Sequence, residues 1–155
     1  MENNDIKKPS KDETIHMYNE DVQKLLTYVP WLESKKGINM TTYYTGDMEK
    51  ASLAIPTYDP TLLSFVKLAK QTNLIDKNYQ YIYSKYYLRT IEDEWKAIEN
   101  ARISDMPVLR GILSKYILKG MIQATVWNEG VTNQVYLRLL NRLKDLMETW
   151  DQPLA

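Results

Sequence analysis

The chain has no cysteine, which excludes disulfides, zinc ribbons, iron–sulfur ligation and a thiol nucleophile. Histidine is nearly missing as well, since His16 is the only one. A lone imidazole cannot build a multi-histidine metal site, and no H-E-x-x-H or EF-hand spacing occurs. The five glycines, at 37, 46, 111, 120 and 130, lie too far apart to form a phosphate-cradling loop. No Gly-x-Ser-x-Gly elbow is present, and a serine nucleophile would lack its usual base. No apolar run approaches the roughly 18 residues of a membrane span. The opening MENNDIKKPSKDET lacks the apolar core of a signal peptide. Nor is there an excess of charge: 20 basic residues balance 20 acidic ones, so no global field attracts nucleic acid or an anionic membrane. These absences point to a cytoplasmic protein with no cofactor, no metal and no membrane partner, and to a binding module rather than a catalyst.

What is plentiful is tyrosine. The chain holds 12 Tyr and 4 Trp against a single Phe. Tyrosine packs like phenylalanine but needs a partner for its hydroxyl when buried. Many of these rings are therefore expected at rims and grooves.

A length of 155 residues suits one domain. A chain of this size buries about 68–70% of its unfolded surface and needs no staple. The longest helical periodicity runs from Ser104 to Trp150. Val108, Leu109, Ile112, Leu113, Tyr116 and Ile117 form one broad apolar stripe. Ser104 is the expected N-cap, and Pro107 is tolerable in a first turn. Gly111, Ser114 and Leu118 lie opposite the stripe, so a second helix is expected to pack closely there. The spacing thus predicts a central helix near 106–119, buried on two faces. Gly120 is expected as a C′ glycine or a corner. A short helix from Met121 to Glu129 is expected to bury Ala124 and Trp127, with Gly130 ending it and Thr132 capping the next. The last helix places Val135, Tyr136, Leu139, Leu140, Leu143, Leu146, Met147 and Trp150 on one side. Leu137 points with the polar residues, as a stray exposed leucine or a contact for another element.

The first half is less regular. Residues 1–13 read as a disordered tail and 14–155 as a single helical domain. Ser10-x-x-Glu13 matches a capping box, but few apolar residues follow it. A better helix begins at Tyr18 or Asn19 and carries Val22, Leu25, Leu26 and Val29. Pro30 breaks it, and Gly37 stops the short turn of Trp31 and Leu32. Residues 37–59 have no strong period. Tyr43, Tyr44 and the run at 51–55 are candidates for a short extended piece. Asp59-Pro60 is a helix start, followed by Leu62, Leu63, Phe65, Val66 and Ala69. The stretch 78–87, NYQYIYSKYY, fits a helix with Tyr79, Ile82, Tyr83 and Tyr86 aligned, or a strand. Helix is favoured, because no partner strand is evident. Thr90-x-x-Asp93 is a capping-box variant that starts a helix from Ile91 to Ala101. Glu92, Asp93 and Glu94 read as its solvated, dipole-favoured first turn. The fold class expected from all of this is an all-α, multi-helix bundle.

The order IPTYDPTLLSFVKLA, then NYQYIYS, then RGILSKYILKGMIQATVWNEGVTNQVYLRLLNRLKDL resembles an uncharacterised family of small bacterial and phage-associated helical domains. The resemblance spans roughly residues 20–150. It implies a cytoplasmic all-helical domain. It implies no activity, and it carries over no functional residue.

The best candidate site is the tyrosine stretch: Tyr81, Tyr83, Tyr86, Tyr87 and Arg89, centred on Tyr83, Tyr86 and Arg89. Flat rings beside a cation anchor partner peptides or stack bases. A protein partner is expected first. Nucleic acid or a nucleotide, held by the same rings with Lys85 and Arg89, is the alternative, disfavoured by the balanced charge. The pairs Lys115/Lys119 and Arg138/Arg142, each one turn apart, suit phosphates but also suit solvated faces.

Overall fold

The computed structural model describes residues 10–35, 41–43, 56–58, 60–123 and 125–151. Eight α-helices appear among them. They are α1 (Lys11–Leu26), α2 (Val29–Ser34), α3 (Pro60–Lys70), α4 (Tyr79–Lys85), α5 (Ile91–Asn100), α6 (Met106–Lys119), α7 (Thr125–Thr132) and α8 (Val135–Asp151). The fold is an all-α multi-helix bundle. The one extended feature among the described residues is an antiparallel ribbon of β1 (Thr41–Tyr43) and β2 (Pro56–Tyr58), with Thr42 opposite Thr57. The extended pairing thus involves Tyr43 but begins at Pro56. Tyr44 and the 51–55 run lie outside the described residues, as do Gly37, Asp59 and Ala124.

Helix α1 begins earlier than its sparse apolar content suggests. The Ser10 hydroxyl accepts from the Glu13 amide, and the Glu13 carboxylate accepts from the Ser10 amide, closing the capping box. Ile15, Tyr18, Val22 and Leu25 then face the core. Residues 11–13 of the expected tail therefore form the first turn of α1, whereas 1–9 lie outside the described residues. Pro30 separates α2 from α1, where it occupies the first turn of the new helix.

The two-faced reading of α6 holds. Its stripe from Val108 to Ile117 is buried, and so are Gly111 and Ser114 on the opposite side. A Cβ at Gly111 would stand 2.7 Å from Ile82 Cγ2 of α4, closer than van der Waals contact permits. Ser114 anchors the turn after α3, where its hydroxyl accepts from the Asp76 amide at 2.7 Å. The start of α6 differs from expectation. A 3₁₀ turn at Ile103–Asp105 precedes it, so Asp105, not Ser104, is the N-cap residue.

Gly120 is needed for a different reason than a left-handed cap. Its backbone is right-handed (φ −63°). The Trp127 ring lies against it, in the space a Cβ would fill, and donates from its indole N–H to the Ile117 carbonyl at 2.8 Å. Gly130 likewise sits inside α7 rather than at its end, under the Tyr136 ring. Thr132 is the last residue of α7, and the break before α8 falls at Gln134, whose φ is +62°.

On α8 the expected stripe is buried from Val135 to Met147, and Leu137 joins it. Leu137 is therefore a contact, not an exposed leucine. The Trp150 side chain lies outside the described set. Three tyrosines depart from the rim expectation, one of them Tyr18 on α1. Tyr116 and Tyr136 are fully buried and continue an aromatic row through Phe65 to Tyr28, with centroids 4.9–6.0 Å apart. Helices α1 and α8 pack together, while α6 packs against α4, α5 and α7.

Candidate functional site

The helical reading of the tyrosine stretch is the correct one, and the helix end shapes the site. Tyr86 is the C-cap of α4, and Tyr87 follows in the left-handed conformation (φ +55°). The Tyr87 amide donates to the Ser84 carbonyl and the Leu88 amide to the Tyr83 carbonyl. That is a Schellman ending, with tyrosine where glycine is usual. The chain reverses at once into α5. The Thr90 hydroxyl accepts from the Asp93 amide, and the Asp93 carboxylate accepts from the amides of Arg89 and Thr90. Those backbone donors hold the Asp93 carboxyl below its ordinary pKa.

The reversal aims Glu94 inward. It is only 2% exposed, so the expectation of a solvated acidic turn fails at this residue. The physical reason is that Glu94 lies one helical position past the capping Asp93, on the side facing α4 and α6. Its carboxylate accepts from Tyr83 Oη at 2.6 Å, from Tyr116 Oη at 2.5 Å and from Lys115 Nζ at 3.2 Å. Lys115 is also 4.2 Å from the Tyr116 ring centroid and 5.5 Å from that of Tyr83. A buried carboxylate is tolerable only when so partnered. Burial, with the adjoining Glu94 charge and hydrogen bond, pushes both tyrosine hydroxyls well above their ordinary pKa. At neutral pH they donate hydrogen bonds and do not act as bases.

Through Tyr83 and Lys115 this knot underlies a cleft of about 550 Å³ between α4 and α6. Tyr79, Tyr83, Ser84 and Arg89 line one side, with Lys115, Lys119 and Ile122 on the other. The five candidate residues are thereby divided. Tyr83 and Arg89 line the cleft. Tyr81 and Tyr86 flank Lys85 instead, whose ammonium lies 5.9 and 5.5 Å from their centroids. Tyr87 is 72% exposed at the helix end. Tyr83 is half-buried and Tyr86 is exposed, so neither ring is lost to the core.

The two basic pairs also part company. Lys115 and Lys119 face the cleft. Arg138 pairs with Glu99 at 2.8 Å, and Arg142 donates to the Ala101 carbonyl, so both arginines brace α8 against α5. Tyr79, Glu94 and Ile122 were not singled out as site residues. The Lys115/Lys119 spacing and the candidates Tyr83 and Arg89 signalled this cleft in advance, but not that they share it. Its opposite wall comes from a helix more than 30 positions away.

Among the described residues no cluster of three metal-ligating side chains occurs, and no helix is long and apolar enough to cross a membrane. His16 is exposed on α1 and lines a broad groove formed by polar side chains of that helix with Ile15 and with Met147 of α8. Compared with family models, curated proteins and solved structures, the chain matches none.

Proposed function

We propose that this chain is a non-catalytic, cytoplasmic interaction module that captures a protein partner at the α4 surface. The observation that carries the reading is the company the cleft keeps. Cations and half-buried rings line it, and large apolar groups stand exposed around it. Ile122, on the cleft wall, is 87% exposed. Tyr81, Tyr86 and Tyr87 are exposed on the same short helix and its end. Aromatic and arginine side chains supply most of the affinity at protein interfaces. The hydroxyls of the knot are committed to Glu94, which holds Lys115 in place and suits binding better than proton transfer. Membership of the phage-associated helical family is proposed on segment order alone and adds no activity.

Nucleic acid is the weaker reading. Stacking a base needs a bare ring face. Tyr81, Tyr83 and Tyr86 each already have an ammonium within 6 Å of their ring centroid. The test is a peptide-display selection on the full chain, run beside a titration with single-stranded DNA at low salt. Enriched peptides should lose at least about tenfold in affinity for the Tyr81→Ala/Tyr86→Ala variant, with an unchanged helical circular dichroism spectrum. DNA retention without peptide enrichment would reverse the assignment.

A further inference from the structure

We infer that the α4–α6 cleft recognises an acidic segment of the partner, with Lys115 as a fixed cation at its floor and Arg89 and Lys119 as cations on its walls. This rests on the interaction-module reading above and names the chemistry of its occupant.

The first observation is a local charge excess in a chain whose net charge is zero. Three cations line the cleft and no carboxylate does; Glu94 lies beneath it, bonded to Lys115. Glu94 neutralises Lys115 alone. Arg89 and Lys119 make no ion pair among the described residues. Two positive charges therefore stand uncompensated on opposite walls of a concave site, where field lines concentrate.

The second observation is that the floor is prearranged. Both Glu94 oxygens are occupied by the two tyrosine hydroxyls and the ammonium. Lys115 Nζ has three N–H bonds, and one bond to Glu94 leaves donors free to turn into the cleft. A lysine on a solvated helix face would lose rotamer freedom on binding an anion. Here Glu94 and the Tyr116 ring have already fixed it. Ser84 lies on the α4 wall, one turn from Gln80, so neutral hydrogen-bonding groups stand beside the cations.

The third observation separates a peptide from a free anion. Ile122 and Leu88 also line the cleft, and Ile122 is almost wholly exposed. A small inorganic anion would leave that apolar surface in water. A segment carrying carboxylates beside aliphatic side chains satisfies the cations and covers the isoleucine together.

The test uses the peptides selected on the full chain. The leading peptide and a twin with every Asp and Glu changed to the amide are measured by fluorescence anisotropy, at about 50 and 200 mM salt. The selected peptides are expected to be acidic, and the amide twin to bind at least about tenfold more weakly. Raising the salt should weaken the acidic peptide several-fold and the twin hardly at all. Arg89→Glu and Lys119→Glu should each reduce affinity for the acidic peptide about tenfold without lowering the melting temperature. Equal binding of the twin, or indifference to both charge reversals while Tyr81→Ala/Tyr86→Ala abolishes capture, overturns the acidic occupant and leaves the module standing. Failure to enrich any peptide overturns both. Displacement of the peptide by oligothymidine or by phosphatidylserine vesicles, dependent on Arg89 and Lys119, reassigns the cleft and overturns the inference.

Discussion

The seam between α1 and α8 and the corner formed by α4, α5 and α6 are both buried, yet they are held by different physics. The seam is aliphatic. Ile15, Val22 and Leu25 come from α1, and Val135, Leu139, Leu143 and Met147 from α8. Its stability scales with apolar area and has no preferred direction, so any well-fitting hydrocarbon serves. The corner contains a carboxylate with three charge-assisted or hydroxyl donors. That arrangement is directional, and the loss of any one member leaves another unsatisfied in a dry site. Both regions border a concave surface, but the cleft at the corner has the buried Lys115–Glu94 pair beneath it, whereas the groove along the seam rests on Ile15 and Met147. A region that must present charge at a fixed position needs the second kind of packing.

The sharpest way to break this contrast is at Glu94. Replacing it with alanine leaves Lys115 and two tyrosine hydroxyls without their acceptor. Glu94→Ala should cost about 3–5 kcal/mol, read as a loss of stability in urea denaturation. A cost below about 1 kcal/mol would mean that the knot is ordinary surface chemistry.

The matching change in the seam is Leu139→Ala. Leu139 is fully buried, and the cavity left behind should cost about 2–5 kcal/mol. Unlike any change in the corner, this loss should be the same at neutral and alkaline pH.

Tyr83→Phe probes the corner more gently. It removes one donor to a charged acceptor, worth about 1.5–3 kcal/mol. The sign of the pH effect follows from the direction of the shift. The folded Tyr83 holds its proton more tightly than the unfolded chain does. Its contribution is therefore complete below the unfolded tyrosine pKa of about 10, and is lost as pH rises beyond it. The stability gap between the native chain and Tyr83→Phe should narrow above about pH 10 in pH-jump denaturation. A constant gap would contradict the coupling.

The smallest effect is expected at Tyr87, at the end of α4. Its φ of +55° suits glycine. Tyr87→Gly should raise stability by about 0.5–1 kcal/mol, strain relief exceeding the added freedom of the unfolded chain. If the exposed ring belongs to the contact surface, the same change should weaken peptide capture, and calorimetry beside anisotropy separates the two.

Much of the seam was legible in the residue pattern. The α8 stripe, the stripe of α6 and the Val22–Leu25 spacing each follow from the 3.6-residue period, because burial of one face is a local, repeating demand. The Thr90–Asp93 box was legible for the same reason: its partners lie three positions apart. The Ser10–Glu13 box was visible too, but the helix it starts reads as weak until α8 covers it. Where reading failed, the partner was remote. Gly130 looks like a helix end in sequence but lies inside α7, while Gly120 does cap α6. They are small because the rings of Trp127 and Tyr136 lie on them. The spacing left Leu137 as either a stray exposed leucine or a contact for another element, and tertiary packing decided for the contact.

The sequence alone determined an all-α chain and the central helix with Gly111 on its back, and it favoured a helix over a strand for the tyrosine stretch. Helical period, caps and steric size act within a few residues and are written in order along the chain. Only the tertiary structure decided that Glu94 turns inward between Tyr83 and Tyr116. It alone brought Arg89 opposite Lys115 and Lys119, and sent Tyr81 and Tyr86 to another face. Those placements depend on how α4 and α5 meet α6, and no local spacing encodes a meeting of helices across 20 to 40 positions.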